Sequence, residues 1–138
     1  MKTTENLGTE NRNPLNIRCS ARNHWLGLDP KRPCVKGFCR FISAAHGYRA
    51  AVVLVKTYIV RYGCDTPRKI ITRWAPPSEN RTELYVAAVC GRCGLRPDER
   101  IATEGPQIGR LVSAMARQET GAHATPAYID SLRRKFGV

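Results

Sequence analysis

The sequence predicts a mainly α domain of the α+β class, with a small strand or hairpin region near its N-terminus. Three observations lead there. Apolar residues recur at helical spacing from residue 46 onward, and before that short apolar pieces alternate with Pro and Gly. At 138 residues and 42% apolar content, the chain suffices for one core rather than two.

Residues 1–12 are polar and lack an apolar period, the pattern of a flexible arm; a single domain is expected over 13–138, beginning at "NPLNIR". From Asn13 to Ser43, Pro14, Gly27, Pro30, Pro33 and Gly37 separate the pieces "LNI", "WLGL" and "GFCRFIS", which read as two or three short strands. "HGYRAAVVLVKTYIVRYG" places Ala50, Ala51, Leu54, Tyr58 and Ile59 near one helical face, with Gly63 as its stop. In "DTPRKIITRWAPP" Thr66 is an N-cap with Pro67 in the first helical position, and Pro76 and Pro77 end the helix abruptly. Asn80 with Glu83 has the spacing of a capping box for a helix running to Gly94, with Tyr85, Val86, Val89 and Cys93 facing inward. Pro106 opens a further helix, and Thr125-Pro126 opens a last one striped by Tyr128, Ile129, Leu132 and Phe136.

Lys and Arg outnumber Asp and Glu by 23 to 11, a net charge of +12 spread along the chain. That balance favours a polyanionic partner: nucleic acid, acidic lipid or bacterial cell wall. The basic residues are dispersed and no zinc-finger or RNA-binding aromatic motif accompanies them, so no specific nucleic-acid partner is expected. No apolar run suits a signal peptide or a membrane span, so neither export by signal nor membrane insertion is expected. Cys90 and Cys93 form a C-x-x-C without a second pair, and packing as small hydrophobes is the favoured reading over a zinc site; neither a metal nor a cofactor is expected. The six cysteines leave their redox state open.

The residue that breaks its pattern is Glu119. With Ile108 at about 0° on an ideal helix, Leu111 falls near ~300°, Met115 near ~340° and Glu119 near ~20°, along the buried stripe. A carboxyl facing apolar surface loses hydration and its pKa rises, as in a general acid kept protonated near neutral pH. The competing reading places Glu119 in a frayed last turn before Gly121, reaching water. The negative end of the helix dipole disfavours a charged carboxylate there unless an arginine such as Arg18, Arg73 or Arg117 pairs with it. Trp25 and Trp74 stand beside Gly and Pro loops, where aromatic rings can line a sugar cleft as well as a core.

Over residues 11–122, "NPLNIR", "NHWLG", "GFCRF", "HGYRAAVVLVKTY", "DTPRKIITRWAPPSENRTELYVAAV" and "MARQETG" resemble a family of small proteins of phage and bacterial genomes labelled as virion or structural proteins. "MARQETG" is also similar to the helix of lysozyme-like lytic transglycosylases and glucosaminidases that ends in the catalytic glutamate. In those enzymes the glutamate helix comes first; here it follows the strand region and two helices, so the resemblance implies a circularly permuted lysozyme-like domain. It further implies a peptidoglycan-cleaving muramidase, a phage lysis or virion enzyme or an antibacterial toxin, with Glu119 as acid and Glu79 as the second carboxylate if one is needed. Asn13, Asn16, Arg18, Trp25, Trp74, Asn80 and Tyr85 are the candidate substrate-binding residues. Partners implied are peptidoglycan glycan strands, with virion proteins or an immunity protein besides, and the place of action is the periplasm or wall, or a virion. The contrasting expectation is a non-catalytic virion structural or wall-binding protein.

Overall fold

A computed structural model describes residues 4–138 and confirms a mainly helical chain with one small sheet. Among the described residues the elements run α1 (Thr4–Glu10), β1 (Cys34–Val35), β2 (Phe38–Cys39), α2 (Ala44–Tyr62), α3 (Pro67–Trp74), α4 (Thr82–Cys93), α5 (Gln107–Thr120) and α6 (Pro126–Phe136). The last five match the five expected helices. Helix α5 is the centre: α1, α2, α4 and α6 all pack on it, and Ile108, Leu111, Val112 and Met115 are fully buried. Each such side chain contributes about 1.5–3 kcal/mol relative to exposure, so the apolar stripe of α5 organises the core.

The ends of these helices are largely written in local chemistry. Thr66 Oγ1 accepts from the Lys69 amide and Thr125 Oγ1 from the Tyr128 amide, each at 3.1 Å, satisfying donors that a first turn leaves unpaired. Ser43 does the same for α2 by accepting from the His46 amide, which starts that helix two residues before His46. Gly63 and Gly94 stop α2 and α4 in the left-handed conformation.

Two expectations are corrected here. Thr4–Glu10, anticipated within a flexible arm, is a helix whose Leu7 is buried and which packs on α5; residues 1–3 of that arm lie outside the described residues. A single apolar anchor, too sparse to show a period, is enough because Gly8 lets the backbone come close: a Cβ there would lie 2.4 Å from Thr120 Cγ2. The second concerns Asn80, which does not cap α4. Its side-chain amide turns back to the Pro76 carbonyl at 3.2 Å, while Thr82 Oγ1 donates to the Ala75 carbonyl at 2.6 Å and pins the helix start to the end of α3. Glu83 is drawn outward into an ion pair with Arg68, so neither half of the capping box is free to close.

The hairpin forms because Lys36 and Gly37 both adopt positive φ, the geometry of a two-residue turn that suits the twist of paired strands. Cys34 pairs with Cys39 and Val35 with Phe38. Cys19 and Cys34 are joined in a disulfide with a Cα–Cα distance of 5.9 Å, clasping the Arg18–Phe38 bridge beside it. Cys90 and Cys93 are buried thiols among the core residues. No described helix is long and apolar enough to cross a membrane.

Two stability tests follow from this packing. A Cβ at Gly47 would stand 2.2 Å from the Arg12 carbonyl oxygen and 2.6 Å from Pro14 Cδ, so Gly47→Ala is expected to lower the unfolding free energy by about 1–3 kcal/mol in urea titration. Cys19→Ser opens a loop of 15-residue separation and is expected to cost about 3 kcal/mol by the chain-entropy estimate. The same loss should appear when the wild type is melted with reductant, and the variant should then be indifferent to reductant.

Candidate active site

Three of the residues singled out in the sequence meet at one point. Glu119 stands in the last turn of α5, Trp74 is the last residue of α3, and Tyr85 lies near the start of α4. Tyr85 OH donates to Glu119 Oε2 at 3.0 Å and Trp74 Nε1 donates to the same oxygen at 3.4 Å. The turn between α3 and α4 brings the two donors together, because the Thr82 to Ala75 bond fixes where α4 starts relative to the end of α3.

The end of α5 is held rather than frayed. Thr120 is 5% exposed, and its hydroxyl donates to the Pro14 carbonyl at 2.9 Å and stands 3.1 Å from the Ala116 carbonyl. Gly121 closes the helix by donating its amide to the Arg117 carbonyl at 3.0 Å. Glu119 is therefore half-buried by the packing of α3 and α4 over a rigid helix end, not by chance of a mobile side chain.

Its protonation follows from that setting. Burial raises the Glu119 pKa above the ordinary glutamate value, and the Tyr85 and Trp74 hydrogen bonds oppose the rise without cancelling it. The expected arginine partners are engaged elsewhere: Arg73 lies 3.5 Å over the Tyr62 ring, Arg18 lies 5.3 Å over the Phe38 ring, and Arg117 stands against His123. Burial, and then the Glu119 carboxylate, push the Tyr85 hydroxyl far above its ordinary pKa, so it remains a neutral donor. Both donors use Oε2, which leaves Oε1 without a hydrogen bond from either.

The other sequence candidates separate. Asn13 is fully buried, its amide nitrogen donating to Ile17 and Cys39 carbonyls at 3.0 and 2.9 Å and its oxygen accepting from the Ile17 amide at 2.9 Å. Asn16 is 3% exposed in a positive-φ turn. Both are buried apart from the Glu119 cluster, and Asn13 ties the chain before the hairpin to the hairpin itself. Trp25 lines a different cavity, a cleft of about 580 Å³ shared with Tyr58, Tyr62 and Arg73. Glu79 and Asn80 are exposed in the turn before α4, on the stretch that follows Trp74. Sequence reasoning missed Thr120 and Thr82, whose role is to place others; a threonine at a helix end carries no distinctive pattern until its carbonyl partner is known.

No family model matches the sequence. Protein P5 of Pseudoalteromonas phage PM2 is 33% identical to it over 136 residues, covering 94% of this chain and 79% of that protein. The chain belongs to the family of phage Protein P5. The match to Protein P5 runs over nearly the whole of this P5-family chain.

The raised Glu119 pKa has a stability consequence with a definite sign. The folded state holds the proton more tightly than the unfolded chain, so stability contributed by this group is lost as pH rises from the ordinary glutamate value through the folded one. Glu119→Gln, which stays neutral, is expected to unfold at a higher temperature than wild type near pH 7, with the difference closing at acid pH where both side chains are uncharged. Equal pH dependence in the two proteins from pH 3 to 8 would show that Glu119 is not held protonated.

Proposed function

We propose that the chain is a peptidoglycan-cleaving muramidase of a phage, in a circularly permuted lysozyme-like domain, with Glu119 as its general acid. The observation that carries this reading is the half-buried Glu119 carboxyl whose Oε2 accepts from Tyr85 and Trp74 while no cation among the described residues pairs with it. In the reaction, Oε1 gives its proton to the glycosidic oxygen as the bond from that oxygen to the anomeric carbon breaks. The resulting Glu119 carboxylate then takes a proton from the nucleophile, water or a hydroxyl of the sugar itself, and the acid is restored.

Several features support the same reading. The order hairpin, helices, glutamate helix is the rotated order expected of a permuted lysozyme-like domain. Kinship to a phage protein fits an enzyme carried in a virion or made for lysis. The +12 charge suits an anionic wall, and the Cys19–Cys34 disulfide suits work outside the reducing cytosol. Trp74 serves two ends, a hydrogen bond to the acid and an aromatic surface beside it on which a sugar can rest.

A second reading keeps the fold and loses the chemistry: a virion structural or wall-binding protein, which the phage relationship favours equally. The two part on one experiment. Purified protein is expected to release soluble muropeptides from peptidoglycan, and Glu119→Gln to reduce that release by at least about a hundredfold, the scale of a lost general acid, while remaining folded. No release by the wild type anywhere between pH 4 and 8 would leave the structural reading. Tyr85→Phe removes a bond that lowers the Glu119 pKa, so the alkaline limb of the rate profile should move to higher pH; an unmoved limb would detach Tyr85 from the acid.

A further inference from the structure

Helix α4, helix α5 and the segment 121–126 enclose a groove of about 410 Å³ rimmed by Arg92, Arg110, Arg117 and His123. Its lining contains no acidic residue. Each guanidinium meets neutral partners: Arg92 donates to Gln118 Oε1 at 3.1 Å, Arg110 donates to the Cys93 carbonyl at 2.9 and 2.6 Å, and Arg117 donates to the Gly121 carbonyl at 3.4 Å. Among the described residues no carboxylate lies within ion-pair distance of these three, although Arg68, Arg96 and Arg100 on neighbouring surface all have one. Glu99 feels the charge of Arg110, but its own oxygens are taken by the Arg96 amide and Gln107.

Three cations held without counter-charge around a concavity call for an anion from outside, and the shape of the groove narrows its kind. The floor includes Ala114, Ala122 and Ala124, small apolar surfaces that suit methyl side chains. The volume admits a few small residues, whereas a nucleic-acid backbone calls for a longer basic track. Arg92 meets Gln118, the residue before Glu119 in the chain, while the α5 residues of the lining, Arg110, Ser113, Ala114 and Arg117, fall at about 140–240° on the helix where Glu119 falls near ~20°, so groove and proposed acid occupy different faces of α5.

We propose that this groove receives the carboxylate-bearing, alanine-containing peptide stem of peptidoglycan, holding the substrate by a face of α5 other than the one that carries Glu119. The proposal rests on the muramidase reading for the identity of the ligand, but its chemistry stands on the arginines: planar guanidinium forks match carboxylates in two parallel hydrogen bonds. The stem binds; nothing in it reacts.

The test uses the full chain and a fluorescent synthetic stem peptide, L-alanyl-γ-D-glutamyl-meso-diaminopimelyl-D-alanine, titrated by polarisation at physiological salt. Wild type and Glu119→Gln are expected to bind it equally, and the Arg92→Gln/Arg117→Gln double variant at least about tenfold more weakly. The same peptide with its carboxylates amidated should bind the wild type as weakly as the charged peptide binds the double variant. Equal binding by the folded double variant, equal binding of the amidated peptide, or binding of a DNA oligonucleotide in place of the peptide would overturn the proposal. Peptide binding that depends on the arginines, in a protein that cleaves no glycan, would sink the general-acid reading and leave the groove as assigned.

Discussion

Thr120 gives its hydroxyl to the Pro14 carbonyl, and with that bond the C-terminal end of the central helix is tied to the chain that leads into the hairpin. The constraint acts on both sides of the molecule. Gly8 closes over the methyl of the same threonine, so α1 docks there, and Asn13 next to Pro14 carries the tie onward to Ile17 and Cys39. Were the end of α5 free to fray, Glu119 would follow it into water and its carboxyl would behave as any surface glutamate does. Because it is held, the packing of α3 and α4 can strip water from Glu119 and replace it with two fixed neutral donors.

Charge is distributed over this frame in a consistent way. Asp65, Glu83, Asp98 and Glu99 sit among Arg68, Lys69, Arg96 and Arg100 and are spent on one another near the starts of α3 and α4. Backbone amides, Gln107 and the nearby arginines hold Glu99 below its ordinary range. Glu119 is treated oppositely, with no cation among the described residues in contact and burial raising its pKa. Arg92, Arg110 and Arg117 face a groove whose lining contains no acid. The carboxylates near the starts of α3 and α4 are thus paired with cations, whereas Glu119 is desolvated and hydrogen-bonded by neutral donors, which shifts the two kinds of carboxyl in opposite directions.

Much of the fold was legible because local rules decide it. Thr66-Pro67 and Thr125-Pro126 cap their helices whatever the surroundings, and glycines at 63, 94 and 121 end theirs by adopting a conformation that other residues avoid. The inward phase of Glu119 was legible for the same reason, since periodicity alone places it in line with Met115. The failures have one cause. Asn80 and Glu83 obey the capping-box spacing, but the Pro76 carbonyl takes the Asn80 amide and Arg68 takes the Glu83 carboxylate. Leu7 and Gly8 carry no period, and only the shape of α5 tells that a bare glycine is wanted against Thr120. Asn13 and Asn16 look like exposed loop residues until the hairpin folds over them.

By itself, then, the sequence determined the class, the helices, most of their ends and the face on which Glu119 lies, because propensity, capping and period are properties of a few neighbouring residues. Tertiary structure alone decided which groups meet that carboxyl. Trp74 and Tyr85 stand 45 and 34 residues away from Glu119 along the chain, and no local rule links them. Their convergence, the pairing of Cys19 with Cys34 and the unpaired arginines of the groove are outcomes of how helices pack. Desolvation, which raises the Glu119 pKa, exists only once that packing has excluded water.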